Sequence, residues 1–369
     1  MTLLSNTLYD VAIIGAGVAG SYCASVLQKA GYQVCLIEKG RGTGGRASSR
    51  RLPMQEEGVQ LSCDLGAPFF HATKNQLVDD IQQWLAADVI APWPAANLAH
   101  KGLAYTGTPS MSALTRYLAQ HSDLYSSQRI SHIDRTDNVW FLRNDSYKTL
   151  IKAKRVIITA PAAQTAHLLT SPDAPNAWLQ QAHIASRQCA PQWSAVVSDG
   201  TEAFKSMLSN MPDMLEVDHP VLAKIIHDTA KPGRSTISTD SSKSTGLSKP
   251  SRWVLQANLE WSELHKDSNA DEIGVLMLAA FKQLLSEQED SDLDLTQPEL
   301  IIATPHLWRL GRHQPSSDVS GKVEEQQAGM LWEPSNGLAV SADWLGAGTV
   351  VSAVLSAQQL CQAMIDGDC

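Results

Sequence analysis

Residues 9–20 read Tyr-Asp-Val-Ala-Ile-Ile-Gly-Ala-Gly-Val-Ala-Gly, and the fold is decided there. Residues 11–14 form an apolar, largely β-branched run, the pattern of a buried parallel strand. Gly15, Gly17 and Gly20 follow at the G-x-G-x-x-G spacing, and each has its own mechanical reason. Gly15 permits the tight turn out of the strand. Gly17 has no side chain, so a pyrophosphate can approach the bare backbone. Gly20 lets the next helix lie close to the sheet. That helix is expected to reach about Ala30, with Ala19, Cys23, Val26, Leu27 and Ala30 on one face, and Gly31 stops it. A second strand at 34–37 ends in Glu38, about 20 residues beyond the glycines, where a carboxylate suits a ribose 2′-OH. Glu38 therefore favours FAD or NAD over NADP. Ala16, Val18, Ala19 and Lys39 belong to the same expected cofactor contact.

The totals narrow the class. At 369 residues the chain is long for one core, so two domains are expected. A hydrophobic fraction of 43% with 18% charged residues describes an ordinary globular protein. The formal net charge of −9 leaves no basic excess to neutralise phosphates, which argues against a nucleic-acid partner. Six cysteines occur without a C-x-x-C pair, and they read as free thiols in a reducing cytosol. The opening residues have neither a basic n-region nor a long apolar stretch, so no signal peptide is expected. No run approaches the ~18 apolar residues needed to span a membrane, and a cytoplasmic location is expected. The oligomeric state is not encoded in any of these features.

Residues 40–51, Gly-Arg-Gly-Thr-Gly-Gly-Arg-Ala-Ser-Ser-Arg-Arg, follow the acidic strand end directly. Loops at strand C-termini in such sheets face the ligand crevice, glycines admit a close approach, and arginines bind phosphate bidentately. Ser110 is expected to cap a helix at 111–119. Residues 130–134 and 139–142 should form a hairpin, turning through Thr136, Asp137 and Asn138. Residues 155–159 read as another buried strand, and small residues at 160–163 lead into a helix ending near Leu169. From about 171 to 298 a second region begins. Strands at 193–197, 222–227 and 252–258 suggest a separate antiparallel sheet, and 271–285 is an amphipathic helix. Residues 231–251 read as a surface loop and 286–299 as a solvated connector. A last strand at 337–341 leads past Asp343 to a helix from about Thr349 to Met364.

The Arg-Gly-Thr-Gly-Gly-Arg block at 41–46, after the glycine motif and the acidic strand end, resembles the FAD-binding signature of the flavin amine-oxidase superfamily. Four later blocks resemble segments of renalase-like proteins: Asp-Leu-Gly-Ala-Pro-Phe-Phe at 64–70, Thr-Pro-Ser-Met-Ser-Ala-Leu at 108–114, Ala-Lys-Pro-Gly-Arg at 230–234 and Ala-Asp-Trp at 342–344. The resemblance implies an α/β fold. A Rossmann-like FAD-binding domain would comprise 1–75, 101–170 and 299–369. An inserted α+β substrate domain with a mixed or antiparallel sheet would comprise 76–100 and 171–298. It also implies non-covalent FAD, held by the residues named above together with Arg41, Gly45, Arg46, Gly66, Ala67, Pro68, Ala160, Asp343, Thr349 and Val350. The free N–H groups at the start of the closing helix suit the anionic pyrimidine edge of a reduced flavin. The implied activity is an oxidase taking a hydride from a small reduced substrate, a dihydronicotinamide isomer, with molecular oxygen as acceptor. An amine oxidase or desaturase on the same scaffold, or a non-catalytic flavin- or nucleotide-binding protein, are the alternatives.

A flavin carries the redox chemistry itself, so no triad is required. No G-x-S-x-G, H-E-x-x-H or clustered His/Cys ligand spacing occurs, and no metal is expected. His71 and His306 are the expected catalytic candidates. Phe70, Trp193, Gln256 and Trp308 are expected to wall the substrate cavity. The chain departs from the resemblance at three places: Ala342 replaces a glycine, Gln256 a histidine, and Leu310-Gly-Arg312 a Tyr-Ala-Arg. The last two lie in the substrate half, so cofactor use transfers more securely than substrate identity.

Overall fold

The computed structural model describes residues 4, 6–56, 59–98, 101–198, 208, 211–234, 251–288, 301–314 and 329–367. Most of the expected loop at 231–251 and of the connector at 286–299 lies outside these residues.

The strand Leu8–Ile14 is central to the larger sheet. It pairs in parallel with Val34–Ile37 on one side and Thr149–Ile158 on the other, and Ile14 sits level with both Ile37 and Ile158. Helices cover both faces, so the strand is apolar without alternation, as a doubly covered parallel strand must be. Val11 and Ile13 pack against the helices Val18–Lys29 and Val350–Gly367, while Ala12 and Ile14 face Trp140 and the helix Ala162–Leu168. A Cβ on Gly20 would lie 2.0 Å from the Gly15 carbonyl oxygen, so only glycine lets this helix approach the strand. The opening helix ends at Lys29, and Gly31 follows at φ +93°, the left-handed conformation that terminates helices.

The second sheet has the order Met214–Glu216, Leu222–His227, Arg252–Ala257, Cys189–Ser198, Ile301–His313, with antiparallel neighbours throughout. The period-2 alternation gives it two distinct faces. Trp193, Ala195, Val197, Trp253 and Leu255 pack against Ile273, Met277 and Phe281 of the helix Ala270–Gln288. The other face presents Val196 and Val254 to Leu52, Leu65 and Trp93 of the first region.

Several expectations need correction. Ser110 does not cap the helix Ser112–Ala119, whose N-cap position is Met111. Instead the Asp64 carboxylate accepts the Met111 N–H at 3.2 and 3.3 Å, a cap supplied from a distant segment. The hairpin is His132–Thr136 with Val139–Arg143, displaced from 130–134, because Asp137 and Asn138 both take positive φ in a two-residue turn. The strand expected at 155–159 begins six residues earlier, at Thr149, since its first half alternates apolar with polar residues and pairs with Val139–Arg143.

Candidate cofactor and substrate site

A cavity of about 1930 Å³ opens where the parallel strands end and extends to the second sheet. Small-molecule pockets rarely exceed about 1,000 Å³, so this one has room for a dinucleotide and a further ligand. Its first stretch of wall is main chain. Gly15, Gly17, Val18 and Ala19 line it, whereas Ala16 and Gly20 do not. A Cβ on Gly17 would meet nothing within 4 Å, so the space beside that backbone is open. The second glycine loop closes over the first: the Gly44 N–H donates to the Ala16 carbonyl at 2.8 Å, and a Cβ on Gly45 would lie 3.4 Å from the Gly17 Cα. The Ala16 N–H is used internally, donating to Glu38 Oε2 at 2.9 Å, while Gly40 N–H donates to Oε1 at 2.6 Å. Two backbone donors thus aim the Glu38 carboxylate into the cavity, with accepting capacity to spare on each oxygen.

Arg46 and Asp343 meet across 297 positions, Nη2 donating to Oδ1 at 2.6 Å. Burial would push the Arg46 guanidinium down, but Asp343 overrides it and holds Arg46 above its ordinary value. Asp343 does not cap the closing helix. Thr349 does, with its Oγ1 accepting the Ser352 N–H at 3.0 Å and its own N–H donating to Ser352 Oγ at 3.3 Å, a reciprocal capping box. Thr349, Val350, Lys39, Arg41, Gly45, Gly66, Ala67, Pro68 and Ala160 all reach the cavity.

The segment 64–70 is fixed from behind by a buried ion cluster. Lys231 Nζ lies 2.6 Å from Asp228 and 3.3 Å from Asp64, and Arg234 pairs with Asp64 and, at 3.8 Å, with Asp228. The four side chains are at most 6% exposed, and the charges balance. Burial alone would raise the Asp228 carboxyl, but Lys231 and Arg234 hold it below its usual range. Arg234 also donates to the Gly107 carbonyl at 2.9 Å and to that of Pro109. The blocks at 64–70, 108–114 and 230–234 therefore converge on one point.

On the second sheet, Gln192, Gln256, His306, Trp308 and Arg312 face the cavity. Trp193 does not: strand alternation turns it into the opposite core, 4% exposed, with Nε1 donating to the His265 carbonyl. The Phe70 ring is stacked on Tyr105 at 5.7 Å and 4% exposed, so it touches only the cavity margin. His71 Nε2 donates to the Ala96 carbonyl at 2.7 Å, leaving Nδ1 as the acceptor. His306 Nδ1 accepts from Arg50, and burial together with that guanidinium pushes its pKa down to about 4. It is neutral at pH 7, a hydrogen-bond donor through Nε2 and not a cation.

Gln192 and Arg116 were not anticipated as site residues, and no local motif marks them; Arg50 was marked only as one arginine of the 40–51 stretch. Arg312 carried one signal: it is the position kept where Leu-Gly-Arg stands in place of Tyr-Ala-Arg. Eleven lysines and arginines line the cavity against three carboxylates, although the whole chain carries −9. Among the described residues no group of His, Cys, Asp and Glu could hold a metal, and no helix is long and apolar enough to cross a membrane.

Residues 13–84 match the family of NAD(P)-binding Rossmann-like domains. The chain is similar over 98% of its length to putrescine oxidase solved with putrescine, covering 99% of that protein at 13% identity and a TM-score of 0.58. It is similar in the same way to a candidate protoporphyrinogen oxidase from Exiguobacterium sp. 255-15, with 12% identity, a TM-score of 0.58, and coverage of 98% of this chain and 100% of that one. The chain thus joins a Rossmann-like unit to a second, antiparallel sheet in an overall fold similar to that of these two proteins.

Proposed function

We propose that this protein is an FAD-dependent oxidoreductase of the flavin amine-oxidase superfamily, renalase-like, taking a hydride from a dihydronicotinamide isomer with oxygen as acceptor. The observation that carries this reading is the double glycine cradle: open space beside Gly17, capped by Gly45, with Glu38 aimed into the same cavity. The residues present fit FAD. Gly15, Gly17 and Gly45 would hold the diphosphate, Glu38 the ribose, Arg46 and Asp343 the ribityl chain, and the closing helix N-terminus the pyrimidine edge. Bound there, FAD supplies the two-electron acceptor chemistry. No cysteine lines the cavity among the described residues, in keeping with non-covalent attachment. The division into an FAD domain (1–75, 101–170, 299–369) and a substrate domain (76–100, 171–298) belongs to the same proposal.

This chain's residues would act by binding and orientation. Gln256 fastens the flavin-side segment, with Nε2 donating to the carbonyls of Leu65 at 3.1 Å and Gly66 at 2.7 Å. Trp308 and the second sheet exclude water from one side. His71 and His306 are the polar side chains proposed to contact the reacting ring. The basic cavity disfavours a diammonium substrate, which sets this chain apart from an oxidase of putrescine.

The test is an anaerobic titration of the purified protein. A yellow preparation bleached by a dihydronicotinamide isomer, and not by primary amines, is expected. A colourless protein, or bleaching by amines alone, would reject the reading.

A further inference from the structure

Arg312 is half-buried, and it differs from two other half-buried cations of the cavity. Arg46 has Asp343, and Lys224 has Glu216 at 2.8 Å. Among the described residues no carboxylate lies within ion-pair distance of Arg312. Its partners are two neutral amide oxygens: Nε donates to Gln192 Oε1 at 3.0 Å, and Nη2 to Gln256 Oε1 at 3.3 Å. Those amides cannot turn round. Gln192 Nε2 donates to the Ala257 carbonyl at 3.0 Å, and Gln256 Nε2 to Leu65 and Gly66, so only their oxygens are left for the arginine. The fork is therefore aligned by two fixed struts while three of its five N–H groups stay unassigned.

A guanidinium stays charged at any physiological pH. Burial and the neighbouring Arg46 both oppose the charge of Arg312, and Asp343 offsets them only in part. A charge withdrawn from water without an anion is costly, and a planar carboxylate completes a guanidinium with two parallel hydrogen bonds. The surrounding basic excess points the same way.

We propose that Arg312 is the recognition point for a carboxylate on the substrate, with Gln192 and Gln256 as positioning residues. This rests on the oxidoreductase reading of the same cavity and changes one part of its substrate: a carboxylate on the reduced heterocycle stands where a dihydronicotinamide has its neutral carboxamide.

The test uses the purified full chain, its flavin content measured by absorbance, and calorimetric titration with nicotinate, nicotinamide and 3-methylpyridine. Nicotinate is expected to bind at least about tenfold more tightly than either neutral ring, as one charged hydrogen-bonded pair would give. Arg312→Met should abolish that preference, and Arg312→Lys should restore part of it, both with wild-type flavin content and circular dichroism. Equal binding of nicotinate and nicotinamide, or nicotinate affinity unchanged in Arg312→Met, would overturn the assignment. So would an Arg312→Met protein that loses flavin and keeps nicotinate binding, because the arginine would then serve the cofactor. A colourless wild type would instead reject the flavin reading, which keeps the two failures apart.

Discussion

Along one stretch of the cavity wall, Gly15, Gly17 and Gly45 present bare main chain, all within the first 45 residues. Along another, Gln192, Gln256, Trp308 and Arg312 present side chains from three strands of a different sheet. The first wall is set by backbone geometry and tolerates almost any neighbour that keeps its glycines. The second depends on which face of each strand a residue occupies, so a one-residue change of register would exchange Gln192 for Trp193. A cradle made of main chain therefore sits beside a wall made of side chains, and the two answer to different constraints. Behind the cavity, the cluster of Asp64, Asp228, Lys231 and Arg234 ties the segment at 64 to those at 107–111 and 228–234.

The largest effect expected is at that tie. Asp228→Ala leaves Lys231 and Arg234 buried with one carboxylate, and should cost about 3–5 kcal/mol in urea unfolding. A loss below about 1 kcal/mol would mean that these segments are held by apolar packing alone.

Gly17→Val separates cradle from fold. The added Cβ meets open space, so unfolding of the flavin-free variant should stay within about 0.5 kcal/mol of the flavin-free wild type, while bound flavin disappears. Yellow Gly17→Val protein would put the diphosphate elsewhere. A smaller effect is expected for Glu38→Ala, which removes one acceptor from the ribose and should weaken flavin retention about tenfold on gel filtration.

The effect confined to acid pH concerns the second wall. His306 is held near 4 in the folded protein against an ordinary 6.5. The unfolded chain therefore binds the proton first, and stability is lost as pH falls from 6.5 towards 4 and no further below it. His306→Asn should flatten that part of the acid limb, read from urea midpoints at pH 7 and 4.5. An unchanged limb would show that the ring is solvated and unperturbed.

The resemblance blocks were legible because each is a local device: a turn, a cap or a small residue at a close approach. Their meeting was not. Nothing in 64–70 or 230–234 states that two carboxylates and two cations 160 residues apart will share one dry site. Ser110 misled for the same reason, since its hydroxyl has the right chemistry to cap a helix but Asp64 arrives from elsewhere to cover the N-terminus. Trp193 was named as a cavity residue with a core tryptophan as the competing reading, and strand parity put it in the core.

By itself the sequence determined the parallel βαβ unit, the glycine turns and the acidic strand end, because hydrophobic period and backbone sterics act over a few residues. Only the tertiary structure decided that Arg46 pairs with Asp343, that two glutamines aim Arg312, and that a chain of net charge −9 encloses a basic cavity. Those arrangements depend on which side chains are withdrawn from water together, and charge pairing across hundreds of residues leaves no periodic trace along the chain.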